Sequence, residues 1–171
     1  LLDWLASELI LSGWSLKHLH KLILRSEAYM MSTSDNSVAA EIDPENKLLW
    51  RMNRRRMEAE VIHDSLLQLS GRLDLKMGGL AAKVKTQDPT SEDLDKNKEI
   101  YRKIIRRALY VPVHRTQVYD LFDAFDFPDP GTTTGRRNAT TVATQALFFL
   151  NNDWLMQQAN ALAKRSNASP K

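Results

Sequence analysis

Cysteine is absent from the 171-residue sequence, and its absence excludes several classes of chemistry. Without thiols the chain can form no disulfide, no thiolate zinc site and no covalent bond to a c-type haem, and it has no cysteine nucleophile. A chain of this length can nevertheless bury a continuous core without such crosslinks.

Long apolar runs and glycine-rich motifs are also missing. No apolar run reaches membrane-spanning length, and no basic segment precedes an apolar segment with a cleavage site, so we expect no membrane insertion by this segment. Only six glycines occur, and no phosphate-binding loop or nucleophile elbow is found. The sequence therefore predicts no catalytic residue. Because it opens on Leu1 within a helical pattern, we expect it to be a fragment of a longer protein.

A strong excess of one charge is lacking too, since the sequence has 24 lysines and arginines and 21 aspartates and glutamates. This balance is no argument for a nucleic-acid partner, and we expect none. In the arginine-rich run 51–56, Arg54 and Arg56 each lie four residues before a glutamate, a spacing that favours ion pairs along one helix. The basic run 96–107 is typical of a solvated helix face. The alternatives are polyanion binding by the first run and docking of an acidic partner domain by the second.

The four histidines do not form a metal-binding pattern. His18 and His20 are two residues apart and point in different directions on a helix, and His63 is followed by Asp64 without a second ligand at helical spacing. The sequence therefore predicts no metal site and no cofactor in this domain.

Apolar residues recur every three or four positions along most of the chain, which predicts a mainly α, compact multi-helix domain over residues 1–171. Gly13 is placed to end the first helix and Ser15 to cap the second, while Gly71 is placed to end a long helix that begins at Lys47. The other predicted helices are 99–107, 117–127, about 143–150 and one that begins near 153.

Three segments lack helical periodicity. Residues 32–45 and 77–97 are polar or rich in glycine and proline, and we predict mobile loops there. LYVPV combines strand-forming residues with a proline, so the sequence predicts one short extended segment near 108–114.

The stretch FDFPDPGTTTGRRNATTVATQALFFLNN, which begins at Phe125, is the most informative. Asp126 and Asp129 precede Arg136 and Arg137 across a turn, so the loop can fold back and pair opposite charges. We interpret this as a structural clasp. The unpaired backbone N–H groups at the start of the next helix can donate hydrogen bonds to the side chains of Thr140, Thr141 and Thr144. Asn138 can hydrogen-bond within the turn.

The alternative for the same loop is an anion site. Arg136, Arg137, Asn138 and Thr140 would then bind a carboxylate, sulfate or phosphate beside the helix N-terminus.

Four blocks of the sequence carry a family resemblance. They are LLDWLASELILSGWSLKHLHKLILRSEAY, DPENKLLWRMNRRRMEAEVIHDSLLQLSGRLDLKMGG, RRALYVPVHR, and FDFPDP with GRRNATTVATQALFFLNN. In this order they resemble a planctomycete C-terminal domain of unknown function, found in large proteins that often carry a planctomycete-type cytochrome c module. The chain departs from that family at Ala143, where members have proline, and at Thr134, near which some have cysteine.

The resemblance implies an exported or cell-envelope bacterial protein whose haem c lies elsewhere in the parent chain. It supplies no catalytic residues. We therefore expect a non-catalytic interaction or scaffold domain whose partners are neighbouring domains of the parent chain. The alternative is an accessory part of an enzyme that acts on polysaccharide or another anionic substrate, with the anion site at Arg136 and Arg137.

Overall fold

A computed structural model describes residues 1–85 and 89–168, and its described part is mainly helical, as the sequence predicts. The only β-type pairing among these residues is an isolated bridge between Asp74 and Arg106. The helices are α1 (Leu2–Leu11), α2 (Leu16–Leu24), α3 (Ser37–Ile42), α4 (Ala59–Ser70), α5 (Ser91–Lys103), α6 (Asp120–Ala124), α7 (Ala143–Asn151) and α8 (Asp153–Ala168), with a 3-10 helix at Ala108–Tyr110.

The chain forms two compact units, Leu1–Arg55 and Arg56–Lys171. A single domain over 1–171 stays a prediction.

The first unit begins with a hairpin of α1 and α2, and both of its predicted boundaries are confirmed. Helix α1 ends at Leu11, and Gly13 follows with a left-handed φ of +68°. The Ser15 side chain accepts a hydrogen bond from the His18 backbone N–H and so caps α2. The two helices contact each other, and Leu5 and Leu19 are among their half-buried side chains.

Two buried polar side chains organise the segment that follows the hairpin. The Asp43 carboxylate accepts hydrogen bonds from the backbone N–H groups of Lys47 and Leu48. The Asn46 amide group donates to the Arg51 carbonyl oxygen at 2.8 Å and accepts from the Arg51 N–H at 3.2 Å. These bonds replace helical ones, so the turn is defined by side chains.

The predicted loop 32–45 contains helix α3, which the sequence analysis did not find. Asn36 caps it, because its side-chain oxygen accepts from the N–H groups of Val38 and Ala39. A six-residue helix is too short to show a clear apolar period.

The predicted helix from Lys47 is wrong over its first half, because α4 begins only at Ala59. The arginines before it find distant partners instead of glutamates one turn away. The Arg54 guanidinium binds the Thr33 carbonyl oxygen and the Asp35 carboxylate, and the Met52 N–H donates to the Ser32 carbonyl oxygen. The C-terminal boundary is confirmed, since Gly71 ends α4 with a φ of +74°.

The second unit has its core around α4, which packs against α6, α8 and the 3-10 helix. Burial of each large apolar side chain there stabilises the fold by about 1.5–3 kcal/mol. A polar contact joins α4 to α8 inside the core, where the Ser70 hydroxyl donates to the Gln158 side-chain oxygen at 3.0 Å. The buried apolar side chains are Ala59, Ile62, Leu67, Tyr101, Ile104, Ala108, Val111, Tyr119, Leu121, Phe122, Phe125 and Trp154.

Two predicted segments of this unit differ from the structure. Helix α5 begins at Ser91, inside the predicted loop 77–97, because Thr90 and Asp93 cap each other's backbone N–H groups. Residues 86–88 of that loop lie outside the described residues. The predicted extended segment near 108–114 begins as the 3-10 helix and becomes extended at Val111 (φ −69°, ψ 125°).

Candidate functional site

Residues 125–142, which join α6 to α7 and which we call the signature loop, are closed at their base by Asp126 and Thr140. The Asp126 carboxylate accepts from the Thr140 N–H at 2.7 Å and from the Thr140 hydroxyl at 2.8 Å. Asp126 has a φ of 58°, a left-handed conformation that aspartate tolerates better than most residues. Arg56 adds a second contact at this base by donating to the Thr141 hydroxyl at 3.0 Å. Asp126 therefore fixes the loop through a threonine.

Arg137 leaves the loop and pairs with the start of α4. Its two terminal nitrogens each lie 2.8 Å from a different carboxylate oxygen of Glu60, and one of them lies 3.4 Å from Glu58. Its guanidinium also lies 5.6 Å from the centre of the Phe127 ring. Partial burial raises the pKa of Glu60, but the hydrogen bonds and charge of Arg137 outweigh it, and that pKa lies below its ordinary value.

This geometry corrects the clasp predicted between Asp126 or Asp129 and the two arginines. Asp129 accepts from the Gly131 N–H at 2.8 Å and shapes its own turn. No salt bridge joins Asp126 or Asp129 to Arg136 or Arg137 within residues 1–85 and 89–168. The acidic partners of Arg137 are about half the chain away in sequence. A prediction that considers only the charges within one turn could not identify them.

The residues predicted for anion binding are not gathered around one point. Arg136 and Asn138 are exposed, Thr140 binds Asp126, and Arg137 faces two carboxylates. Two carboxylates around one guanidinium leave a net negative charge, which repels an anion. Anion binding by this loop stays a prediction that the Arg137 contacts disfavour.

A groove of about 400 Å³ opens beside Arg137, along the first half of α4, and we call it the α4 groove. Its apolar lining includes Val61, Leu109, Val113 and Phe127. Its volume lies at the lower end of the range for ligand pockets. This groove has no signal in the sequence, because its two sides are brought together only by the tertiary fold.

Charged groups stand on both sides of the α4 groove. Glu58, Glu60 and Asp64 come from α4 and the residue before it, and Arg107 faces them from the segment before the 3-10 helix. Asp64 accepts from the Ala108 N–H at 2.6 Å and lies 3.7 Å from Arg107. The Asp64 carboxylate therefore joins α4 to the opposite side of the groove.

His63 lies behind the α4 groove in an aromatic cluster and is completely buried. Its ring stacks on Trp154 at 5.5 Å and meets Phe122 edge-on, while its Nδ1 atom lies 3.1 Å from Asp64. The Nε2 atom has no hydrogen-bond partner among the described residues. Burial lowers the pKa of His63, although Asp64 acts in the opposite direction. These contacts make His63 a neutral core residue.

The α1–α2 hairpin carries the largest set of exposed apolar side chains. Neither of its helices has a buried residue, and α1 is apolar on nearly every side. Leu11 is 81% exposed and Trp14 is 71% exposed. Large apolar groups at such density are typical of a surface that another protein segment covers. The exposed set of the hairpin is Leu1, Leu2, Trp4, Ile10, Leu11, Trp14, Leu16, Ile23 and Leu24.

The basic run of α5 is largely paired within its own helix. Lys96 lies 2.6 Å from Glu92, Lys98 lies 3.4 Å from Asp95, and Arg102 lies 3.0 Å from Glu99. Throughout the part of the chain that the structure describes, we find no group of three or more histidine, aspartate or glutamate side chains arranged to hold a metal ion.

None of the helices in the described residues combines the length and the apolar character needed to cross a bilayer.

The chain is a mainly helical protein with a charged groove and an exposed apolar hairpin. Its family follows from its sequence, since the model of the PSD1 family, described as a protein of unknown function (DUF1553), matches residues 1–170. The chain belongs to this family. No curated protein and no solved structure matches it.

Proposed function

We propose that this chain is a non-catalytic interaction domain that docks onto neighbouring domains of a longer parent protein through the α1–α2 hairpin. The observation that carries the proposal is the hairpin itself, whose helices are rich in leucine yet bury no residue. A helix that is apolar on nearly all sides is stable in water only when other segments cover it.

The distribution of these side chains supports docking by helix packing. On α1, Trp4 and Leu11 are seven residues apart and share one face, as do Leu16 and Ile23 on α2. Such pairs, two turns apart, are typical anchors where one helix packs against another. Leu5 and Leu19 are half-buried, so they are less accessible to a partner than these four residues.

The parent protein that this proposal requires is a large exported or cell-envelope protein of a planctomycete. The resemblance of the four sequence blocks supports this setting, and in it the haem c belongs to a separate cytochrome module. The domain would hold neighbouring modules together and take no part in electron transfer itself.

Hydrogen exchange compares the hairpin in two contexts, the isolated chain and the full-length parent. We expect the amides of α1 and α2 to exchange more slowly in the parent, because docking covers them. Equal exchange rates in the two proteins would contradict the proposal.

Substitution separates docking from folding. Trp4→Asp should leave the melting temperature of the isolated chain nearly unchanged, because Trp4 is exposed, but should speed exchange of α1 in the parent. Ser7→Asp is the matched control, since Ser7 is an exposed polar residue of the same helix, and it should retain slow exchange.

A further inference from the structure

We propose that the α4 groove binds an extended peptide segment that carries apolar side chains and one lysine or arginine. The groove belongs to the second unit and shares no residue with the hairpin. The proposal therefore goes beyond hairpin docking and stands without it.

Exposed apolar side chains at the groove indicate an apolar ligand. Leu109 is 73% exposed, and Val61 and Val113 are exposed as well. The half-buried Phe127 ring also lines the groove. A volume of about 400 Å³ can receive a few aliphatic side chains, and their burial there would exclude water from both partners.

The backbone along the groove favours an extended partner. The chain is extended at Val111, and the Tyr101 hydroxyl donates to the Pro112 carbonyl oxygen at 3.0 Å, which holds this segment in place. The main-chain N–H and carbonyl groups of Val113 have no hydrogen-bond partner among the described residues. An extended peptide can pair with such groups in the manner of an added strand.

Charge at the groove selects a cationic side chain. Three carboxylates and two guanidinium groups surround it when Arg137 is included, so one negative charge is in excess. Arg137 holds Glu60 with two short bonds but approaches Glu58 only to 3.4 Å, and the Glu58 side chain is 53% exposed. Glu58 is therefore the carboxylate best placed to accept a lysine or arginine of the peptide.

A titration with two matched peptides tests this charge preference. The probes are the blocked peptides Ser-Val-Lys-Val-Ser and Ser-Val-Glu-Val-Ser, each added to the ¹⁵N-labelled full chain at low ionic strength. We expect saturable amide shifts at residues 58–64 and 107–113 with the lysine peptide. We expect the glutamate peptide to bind about tenfold more weakly, which corresponds to about 1.4 kcal/mol.

Substitutions locate the site. Glu58→Gln should reduce the difference in affinity between the lysine peptide and the glutamate peptide. Leu109→Asp should weaken the binding of both peptides. Both variants should fold normally, because the side chains of Glu58 and Leu109 are exposed. Leu75→Asp is the control, because Leu75 is exposed and does not line the groove, and it should bind like the unaltered chain.

Three results would overturn the proposal. They are equal affinity for the two peptides, saturable shifts confined to residues outside the groove, and no saturable shift at millimolar peptide. Tighter binding of the glutamate peptide would instead assign the groove to an acidic partner, with Arg107 as its contact.

Discussion

His63 shows how the surroundings of one residue decide its role. A histidine beside an aspartate could belong to a catalytic pair, but here the ring is completely buried and stacked on Trp154. Among the described residues its single polar partner is Asp64, which also accepts from the Ala108 N–H. The histidine therefore acts as an aromatic core residue that orients a carboxylate.

This burial predicts that acid destabilises the fold through His63. Because its pKa is lowered in the folded chain, the unfolded chain binds the proton more readily below about pH 6.5. The contribution of His63 to the free energy of unfolding is therefore complete above about pH 6.5. It is lost as the pH falls from there toward the pKa of His63 in the folded chain. Urea unfolding between about pH 7 and 5 should show a shallower pH dependence for His63→Phe than for the unaltered chain.

His20→Asn is the control for that experiment, because His20 is exposed on α2. It should retain the pH dependence of the unaltered chain. If His63→Phe retains it as well, another group carries the acid sensitivity and our account of His63 is wrong.

The two arginines of the signature loop should differ in their contribution to stability. Arg137→Ala removes two short bonds to Glu60, and we expect a loss of about 1 kcal/mol because the pair is partly exposed. Arg136 is exposed, so Arg136→Ala should change the free energy of unfolding by less than about 0.5 kcal/mol. Chemical denaturation measures both, and equal losses for the two variants would contradict the assigned pairing.

At the scale of helices, local signals were sufficient for some boundaries and insufficient for others. Three boundaries could be predicted, because a cap or a periodic pattern lies within a few residues of each. They are the start of α2 at Ser15, the end of α4 at Gly71 and the start of α7 at Ala143. The start of α4 could not, because Arg54 is held by Asp35 and Thr33. The spacing of apolar residues along the sequence does not reveal such contacts with distant residues.

The same distinction applies to the candidate sites. The sequence identified the signature loop as a charge-bearing turn but assigned the wrong partner to Arg137. The α4 groove could not be predicted, because residues 58–64 and 107–113 become neighbours only after folding.

The C-terminus of α4 gives a prediction about a helix end. Arg165 of α8 donates to the carbonyl oxygens of Gln68 and Leu69, and its guanidinium lies over Gly71. A Cβ at Gly71 would come within 2.9 Å of Arg165, and the φ of +74° also disfavours alanine. Gly71→Ala should therefore cost about 2–3 kcal/mol from backbone strain plus lost capping bonds.

Gly78→Ala is the matched control, because Gly78 has a φ of +77° and no atom would lie within 4 Å of an added Cβ. It should cost about 1 kcal/mol, from backbone strain alone. In an Arg165→Ala background, the cost of Gly71→Ala should fall to that of the control. An undiminished cost in that background would show that Arg165 is not responsible.

At the scale of the whole molecule, the two units differ in how their apolar side chains are used. The second unit contains every buried apolar side chain of the core, whereas the buried residues of the first are Asp43 and Asn46. The first unit is held by turns, caps and polar contacts. The large apolar side chains of the first unit therefore form no buried core.

This difference predicts unequal stability along the chain. The helices of the first unit have ten, nine and six residues, and helices this short are marginal in water unless packing stabilises them. In native-state hydrogen exchange of the isolated chain, we expect amides in 1–55 to open with a lower free energy than those of α4 and α8. A fragment that begins at Arg56 should retain cooperative unfolding and a helical circular dichroism spectrum. Equal opening free energies in both units, together with loss of structure in that fragment, would contradict this account and support one cooperative domain over 1–171.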